Sequence, residues 1–106
     1  MLHILNDAWA SILIKQAITN STFSVLFVAA DVDEATHFRQ IARRLIPEDV
    51  AVNLSISPVE SIIYSRSYTT WRSEEFPEFD DILISHEVHD VMLLDFLSRH
   101  CKRKVC

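Results

Sequence analysis

The sequence predicts an α/β domain in which flanking helices pack on a mostly parallel sheet of three to four strands. Apolar, strand-like segments recur along the chain, and segments with helical periodicity lie between them. The segment from Thr22 to Ala30 contains a continuous apolar stretch, Val25 to Ala30, which is typical of a strand buried on both faces. Strand-like and helix-like segments thus alternate along the chain, and no internal repeat or linker interrupts them. This pattern favours a single domain over residues 1–106.

The first half of the chain is predicted to form helix, strand and helix. The first helix runs from Leu2 to Ile18, and Thr22 to Ala30 follows as the central strand. A second helix is predicted from Ala35 to Ile46, where the apolar residues return to a helical period before Pro47. The apolar stripe of the first helix consists of Leu5, Ala8, Trp9, Ile12 and Leu13.

A second strand and a third helix are predicted next. Val50 to Ser57 alternates apolar and polar residues, as a half-buried strand at or near an edge does. Residues 57–60 combine a serine cap, a proline and a glutamate three residues after the cap, which indicates a helix start. The body of this helix is ambiguous, because Tyr68 to Trp71 also has high strand propensity.

The last predicted elements are a third buried strand, a helix and the beginning of a fourth strand. Ile82 to Ile84 forms the strand, and Asp90 caps the helix from Val91 to Arg99. Arg103 to Cys106 offers only the polar first half of a further strand, so the third strand lacks an outer neighbour. We therefore expect the chain to be the N-terminal part of a longer protein, and to be marginally stable or self-associating on its own.

The composition excludes several classes of function. Average usage would give roughly 7 glycines in a chain of this length, whereas this sequence has none. A P-loop and a dinucleotide fingerprint both need glycine where the backbone approaches phosphate, so neither is present. Cys101 and Cys106 fit neither a disulfide framework nor a zinc-ligand pattern. We expect no cofactor.

The net charge and the apolar runs limit the partners. At a formal charge of −5, binding to nucleic acid is expected to be weak or absent, because that affinity comes from neutralising many phosphates. The longest apolar stretch, Val25 to Ala30, is far shorter than the roughly 20 residues that span a bilayer, so no membrane association is expected. A basic run from Arg99 to Lys104 is either a phosphate site or nuclear address, or simply a solvated helix end.

Candidate site residues follow the predicted strands. Asp31 and Asp33 come directly after the central strand, where ligands gather in parallel sheets, and two carboxylates there can hold a divalent metal. The nearest further ligands are His86 and His89, although a solvated loop in which Asp90 only caps a helix is the simpler interpretation. The pair lacks enough ligands for a functional metal site, and no nucleophile motif accompanies the serines and histidines.

Five segments of the chain resemble the N-terminal part of the cell division control protein 45 family. Val25 to Asp33 resembles the opening strand of that family, and Val50 to Val59 its second strand with a proline-valine ending. Ile82 to Ile84 and Val91 to Leu97 are similar to the third strand and the leucine-rich helix. Lys104 to Cys106 resembles the start of the fourth strand. The similarity runs in order over about residues 2 to 106.

The resemblance implies a DHH/RecJ-like N-terminal half and a noncatalytic role. Members of the family are relatives of the DHH phosphoesterases, such as the RecJ exonuclease, that have no catalysis of their own. They serve DNA replication initiation in the nucleus as subunits of the replicative helicase, with the MCM ring and the GINS complex as partners. In this interpretation Asp31 and Asp33 are vestigial, and the chain has no catalytic, cofactor or metal residues.

The chain departs from the family pattern at two turns. Glu34 and Ala35 follow the second aspartate, where small or apolar residues are usual, and residues 85–87 replace a turn that normally contains glycine. Ser85 also stands where active DHH enzymes have an aspartate ligand, and the DHH motif itself would come after Cys106.

The alternative function is a metal-dependent DHH-family phosphoesterase or exonuclease fragment that uses Asp31 and Asp33. A receiver-like signalling domain is less favoured, because its third strand would end in a phosphoacceptor aspartate and not in Ser85.

Overall fold

A parallel β-sheet lies at the centre of the computed structural model, which describes residues 2–62 and 78–101. The strands are β1 (Leu2–Ile4), β2 (Ser24–Ala29), β3 (Asn53–Pro58) and β4 (Asp81–Ile84). Their order across the sheet is β1-β4-β2-β3, and every pairing is parallel. The predicted α/β class with a parallel sheet is confirmed, with β2 as a central strand between β3 and β4.

Helices cover both faces of this sheet. They are α1 (Asp7–Thr19), α2 (Val32–Leu45) and α3 (Val91–Arg99), and residues 59–62 are also helical. Side chains of β2 point alternately into two cores: Phe27 packs with α1 and α2, whereas Val28 packs with α3. Both faces of β2 are therefore buried, as its continuous apolar sequence predicts.

The N-terminal prediction is wrong in its first residues. The segment Leu2–Ile4 is a strand, and the helix begins only at Asp7. Asn6 ends the strand-to-helix turn, because its side chain accepts a hydrogen bond from the Trp9 N–H (2.8 Å) and so caps α1. The predicted apolar stripe is also rotated, since Ile12 is exposed. The buried residues of α1 are Ala10, Leu13, Ile14 and Ala17.

The outer edge of β4 has a neighbour, contrary to the sequence expectation. β1 pairs with β4, and the Leu5 N–H continues the ladder by donating to the Ile84 carbonyl (2.8 Å). The prediction that the third strand lacks an outer neighbour is therefore wrong, because β1 takes that position. The predicted strand at residues 103–106 lies outside the described residues.

The remaining element predictions agree with the structure to within a few residues. The second helix begins at Val32, three residues before its predicted start, and α3 has the predicted bounds with Asp90 as its cap. Among the described strands β3 lies at the edge of the sheet, as its alternation predicts. A helix does begin after Pro58, but its body beyond residue 62 lies outside the described residues. No helix in the described part of the chain is long and apolar enough to cross a membrane.

Candidate functional site

The candidate site is the edge of the sheet at which all four strands end. Because the sheet is parallel, α1, α2, the helical residues 59–62 and α3 all begin at this edge. Parallel sheets bind their ligands in such a position. The predicted residues after β2 and β4 both lie here, and these two strands are neighbours.

Asp31 acts as the N-cap of α2. Its Oδ1 accepts a hydrogen bond from the Glu34 N–H (2.8 Å), and the Glu34 carboxylate in turn accepts from the Ala30 N–H (2.9 Å). The two bonds close the start of the helix in a variant of the capping box, in which the Glu34 carboxylate binds the N–H of the residue before the cap. The carboxylate of Asp31 therefore has a structural role.

Asp33 lies in the first turn of α2 and is exposed. The predicted metal pair requires Asp31 and Asp33 to point the same way, as alternate residues of an extended chain do. They do not, because the helix begins at Val32 and residues two apart on a helix do not face each other.

Ser85 follows β4, and its buried side chain lies at the start of a turn. Its N–H donates to the Val28 carbonyl (2.9 Å), and its Oγ accepts from the Glu87 N–H (3.3 Å). The Val88 N–H closes the turn on the Ser85 carbonyl (3.0 Å). No residue in the described ranges has a positive φ, so this turn forms without the backbone conformation that glycine favours.

The two histidines of this loop are exposed at its surface. His86 and His89 lie in the turn before α3, and Asp90 caps that helix by accepting from the Leu93 N–H (3.0 Å). The predicted helical turn between the histidines is absent, because α3 begins only at Val91. Within residues 2–62 and 78–101, no group of three or more His, Cys, Asp or Glu residues is placed to hold a metal ion.

We name the exposed residues of segments 5–9, 30–37, 58–62 and 85–92, together with Ile4 at the end of β1, the carboxyl-edge surface. These segments contain no lysine or arginine. Large apolar side chains are exposed among them: Val91 is 77% exposed, Met92 is 74% exposed, and Ile4 and Val32 are also exposed. Their acidic residues are Asp7, Asp31, Asp33, Glu34, Glu60, Glu87 and Asp90. The surface thus combines negative charge with apolar contact area.

A buried polar cluster at the opposite edge was missed by the sequence analysis. The Asp80 Oδ2 accepts from the Ser24 N–H (2.8 Å), and the Cys101 Sγ contacts the Asp80 carbonyl (3.4 Å). Asp81 and His100 are buried beside them, at 0% and 4% exposure. His100 and Cys101 therefore do not belong to a solvated basic run, and residues 102–106 lie outside the described part. The only sequence signal was the pair of aspartates before an apolar strand.

Comparisons with protein-family models, with curated proteins and with solved structures find no match to this chain. The fold defines an α/β protein with a parallel sheet.

Substituting the two predicted metal ligands distinguishes a cap from a metal site. We expect Asp31→Ala to lower the free energy of unfolding by about 1 kcal/mol, because it removes the cap of α2. Asp33→Ala, the matched control, should change it by less than about 0.5 kcal/mol, because its exposed carboxylate interacts only with the helix dipole. Urea denaturation followed by circular dichroism measures both values. Equal effects of the two substitutions would contradict the capping role.

Proposed function

We propose that the chain is a noncatalytic interaction module for DNA replication initiation, of the kind that the cell division control protein 45 family provides. It acts in the nucleus as part of a helicase-associated scaffold, and its partners are the MCM ring and the GINS complex. We include in this proposal that the fold is related to that of the DHH/RecJ proteins. That relation is supported by the resemblance of the strand sequences.

One observation carries the noncatalytic part of the proposal. At the edge where a parallel sheet places its catalytic groups, the first carboxylate is the cap of α2, and Ser85 occupies the place of a third ligand. A divalent metal needs several oxygen ligands that converge on one point. The arrangement of Asp31, Asp33 and Ser85 supports a structural use of this edge.

The exposed apolar residues support protein binding at the same edge. Val91 and Met92 form the first turn of α3 and leave most of their side-chain area in solvent. Exposed apolar groups beside charged ones are typical of protein interfaces. The negative charge of the surface disfavours phosphate and nucleic acid, so a protein surface with basic residues is the better complement.

The proposal is tested by replacing the two apolar residues of α3. We expect the double variant Val91→Asp, Met92→Asp to weaken binding to a purified complex of the MCM ring and GINS by about 30-fold, the effect of losing about 2 kcal/mol at an interface hot spot. Both residues are exposed, so the fold should be retained. Sedimentation or biolayer interferometry with the full chain measures the affinity.

Ile12→Asp is the matched control for that experiment. Ile12 is an exposed apolar residue of α1 away from the carboxyl-edge surface, so its substitution should leave the affinity unchanged. Absence of binding by the unsubstituted chain would contradict the proposal. An equal loss in the control variant would contradict the assignment of the surface.

The enzymatic alternative makes a different prediction. A phosphoesterase that uses Asp31 and Asp33 would cleave single-stranded DNA or a phosphodiester with Mn²⁺ and would lose that activity in Asp33→Ala. We expect no turnover above that of the buffer with Mn²⁺, because the two carboxylates do not converge. Turnover that disappears in Asp33→Ala would overturn the noncatalytic proposal.

A further inference from the structure

A groove lies between α2 and the free side of β3. Its volume is ≈ 470 Å³. Apolar side chains and the two arginines of one face of α2 line it, with a glutamate in the connection to β3. Its lining includes Arg39, Arg43, Ile46, Glu48, Val50 and Ile56.

Within residues 2–62 and 78–101, no strand pairs with the outer edge of β3. The Val28 carbonyl points to β4, because it accepts from the Ser85 N–H. In a parallel sheet, the N–H and C=O groups of successive residues point to opposite neighbouring strands. The backbone N–H and carbonyl of Phe27 therefore point to β3. Since Phe27 is opposite Ile56, the backbone groups of Ile56 and Leu54 point away from β2. In the described part of the chain, β3 ends the sheet on this side.

Arg39 already contacts this edge. Its guanidinium donates to the outward-pointing Ile56 carbonyl (2.9 Å). The bond shows that the edge accepts a donor from the groove side, and an exposed side chain is readily displaced by a backbone N–H. Once displaced, the Arg39 guanidinium is free to pair with an acidic group next to it.

We propose that this groove and the edge of β3 bind an extended, acidic segment of a partner protein, which adds to the sheet as a fifth strand. Main-chain hydrogen bonds to Leu54 and Ile56 supply affinity, as in other cases of strand addition. Arg39 and Arg43 favour acidic residues in the bound segment, and Ile46 and Val50 favour an apolar residue. The inference is independent of the proposed function, because it uses a different edge of the sheet.

The spacing of the arginines matches a strand. Arg39 and Arg43 are four residues apart on α2, so they lie about 6 Å apart along its axis. Side chains on one face of a strand repeat every second residue, which is about 6.6 Å. Two acidic residues at successive groove-facing positions can therefore pair with both arginines. Glu48 disfavours a third acidic residue, so the next position is apolar.

The probe is a fluorescein-labelled octapeptide measured by fluorescence anisotropy with the full chain. Every second residue of the peptide faces the groove. Two consecutive groove-facing residues are glutamate, the next groove-facing residue is valine, and all other residues are threonine. We expect saturable binding, and about 10-fold weaker binding of the matched peptide with glutamine in place of glutamate, because two exposed ion pairs are lost.

Arg43→Gln should weaken binding of the glutamate peptide by about three-fold, the effect of one exposed ion pair. Arg44→Gln is the matched control: it removes the same charge from the neighbouring exposed residue, which does not line the groove, and should leave binding unchanged. Equal losses in both variants would show that only the overall charge matters and would overturn the assignment of the groove.

Two N-methylated peptides test the strand addition itself. One has methyl groups on the amides of the groove-facing residues, and the other has them on the alternate amides. Only one set of amides points to β3 in an added strand, so one peptide should lose binding and the other should keep it. Equal binding of the two peptides, or competition by inorganic phosphate alone, would overturn the proposal, as would no binding at millimolar peptide.

Discussion

Phe27→Ala is expected to lower the free energy of unfolding by about 3–5 kcal/mol, the range for removing a large aromatic side chain from a packed core. Phe27 is fully buried in the middle of β2, between Ile56 of β3 and Leu83 of β4. Its ring packs edge-to-face on Phe38 of α2, with 6.1 Å between the ring centroids. The substitution therefore leaves a cavity where the sheet and α2 meet.

A domain of this size has a total stability of about 5–15 kcal/mol, so Phe27→Ala removes a large part of it. Urea denaturation followed by circular dichroism gives the loss. Phe27→Leu provides a measurable value if the alanine variant is unfolded, and it should cost clearly less because the cavity is smaller. Ile12→Ala, at an exposed apolar residue of α1, should stay within about 0.5 kcal/mol of the parent. A loss below about 1 kcal/mol for Phe27→Ala would contradict the placement of β2 at the centre of the sheet.

The elements that the sequence predicts well are those with a strong local signal. β2 contains an uninterrupted apolar run, which is typical of a strand that is buried on both faces. Asp90 lies before an amphipathic segment, and the helix after it has the predicted bounds. In both cases the neighbouring residues alone determine the element, so no information about distant parts of the chain was needed.

β1 could not be predicted in this way. Leu2, His3 and Ile4 fit the apolar spacing of a helix as well as the alternation of a strand. What decides between them is the parallel pairing with β4, which is almost the whole chain away in sequence. The burial of Asp81 also depends on residues that are distant in the sequence. Asp81 is buried, although Asp80 and Asp81 by themselves have the composition of a solvated turn.

The candidate site contains a local signal for a helix start. Asp31 and Glu34 have the spacing of an N-cap and its partner, whereas the metal prediction pairs Asp31 with Asp33. The predicted helix start at Ala35 follows the first apolar residue of the helical period, and it lies three residues after the observed start at Val32. A capping signature immediately after a buried strand is therefore better evidence for a helix than for a metal site.

Ser85→Asp is the most direct test of the difference between this edge and a metal site. We expect it to lower the free energy of unfolding by at least about 3 kcal/mol, because it places a charge in a buried position. Ser85 is 2% exposed, and in the described part of the chain its Oγ accepts a hydrogen bond from the Glu87 N–H. One backbone donor is too little to solvate a carboxylate.

Two further variants separate charge from shape. Ser85→Ala removes only the accepted hydrogen bond and should cost about 1 kcal/mol. Ser85→Asn has nearly the volume of the aspartate without its charge, so the difference between the two gives the cost of the charge if both fold. The transition temperature of each variant, measured with and without Mn²⁺, reports metal binding directly.

We expect Mn²⁺ to leave the transition temperature of Ser85→Asp unchanged. A third carboxylate at the end of β4 completes a metal site only if the two aspartates after β2 converge on it, and Asp31 is held by the Glu34 N–H while Asp33 lies in a helical turn. Binding of a metal to the folded state would raise the transition temperature by mass action. A rise in Ser85→Asp that is absent from Ser85→Asn and disappears when Asp33→Ala is added would show that this edge still has the geometry of a metal site, and the noncatalytic proposal would then rest on Ser85 alone.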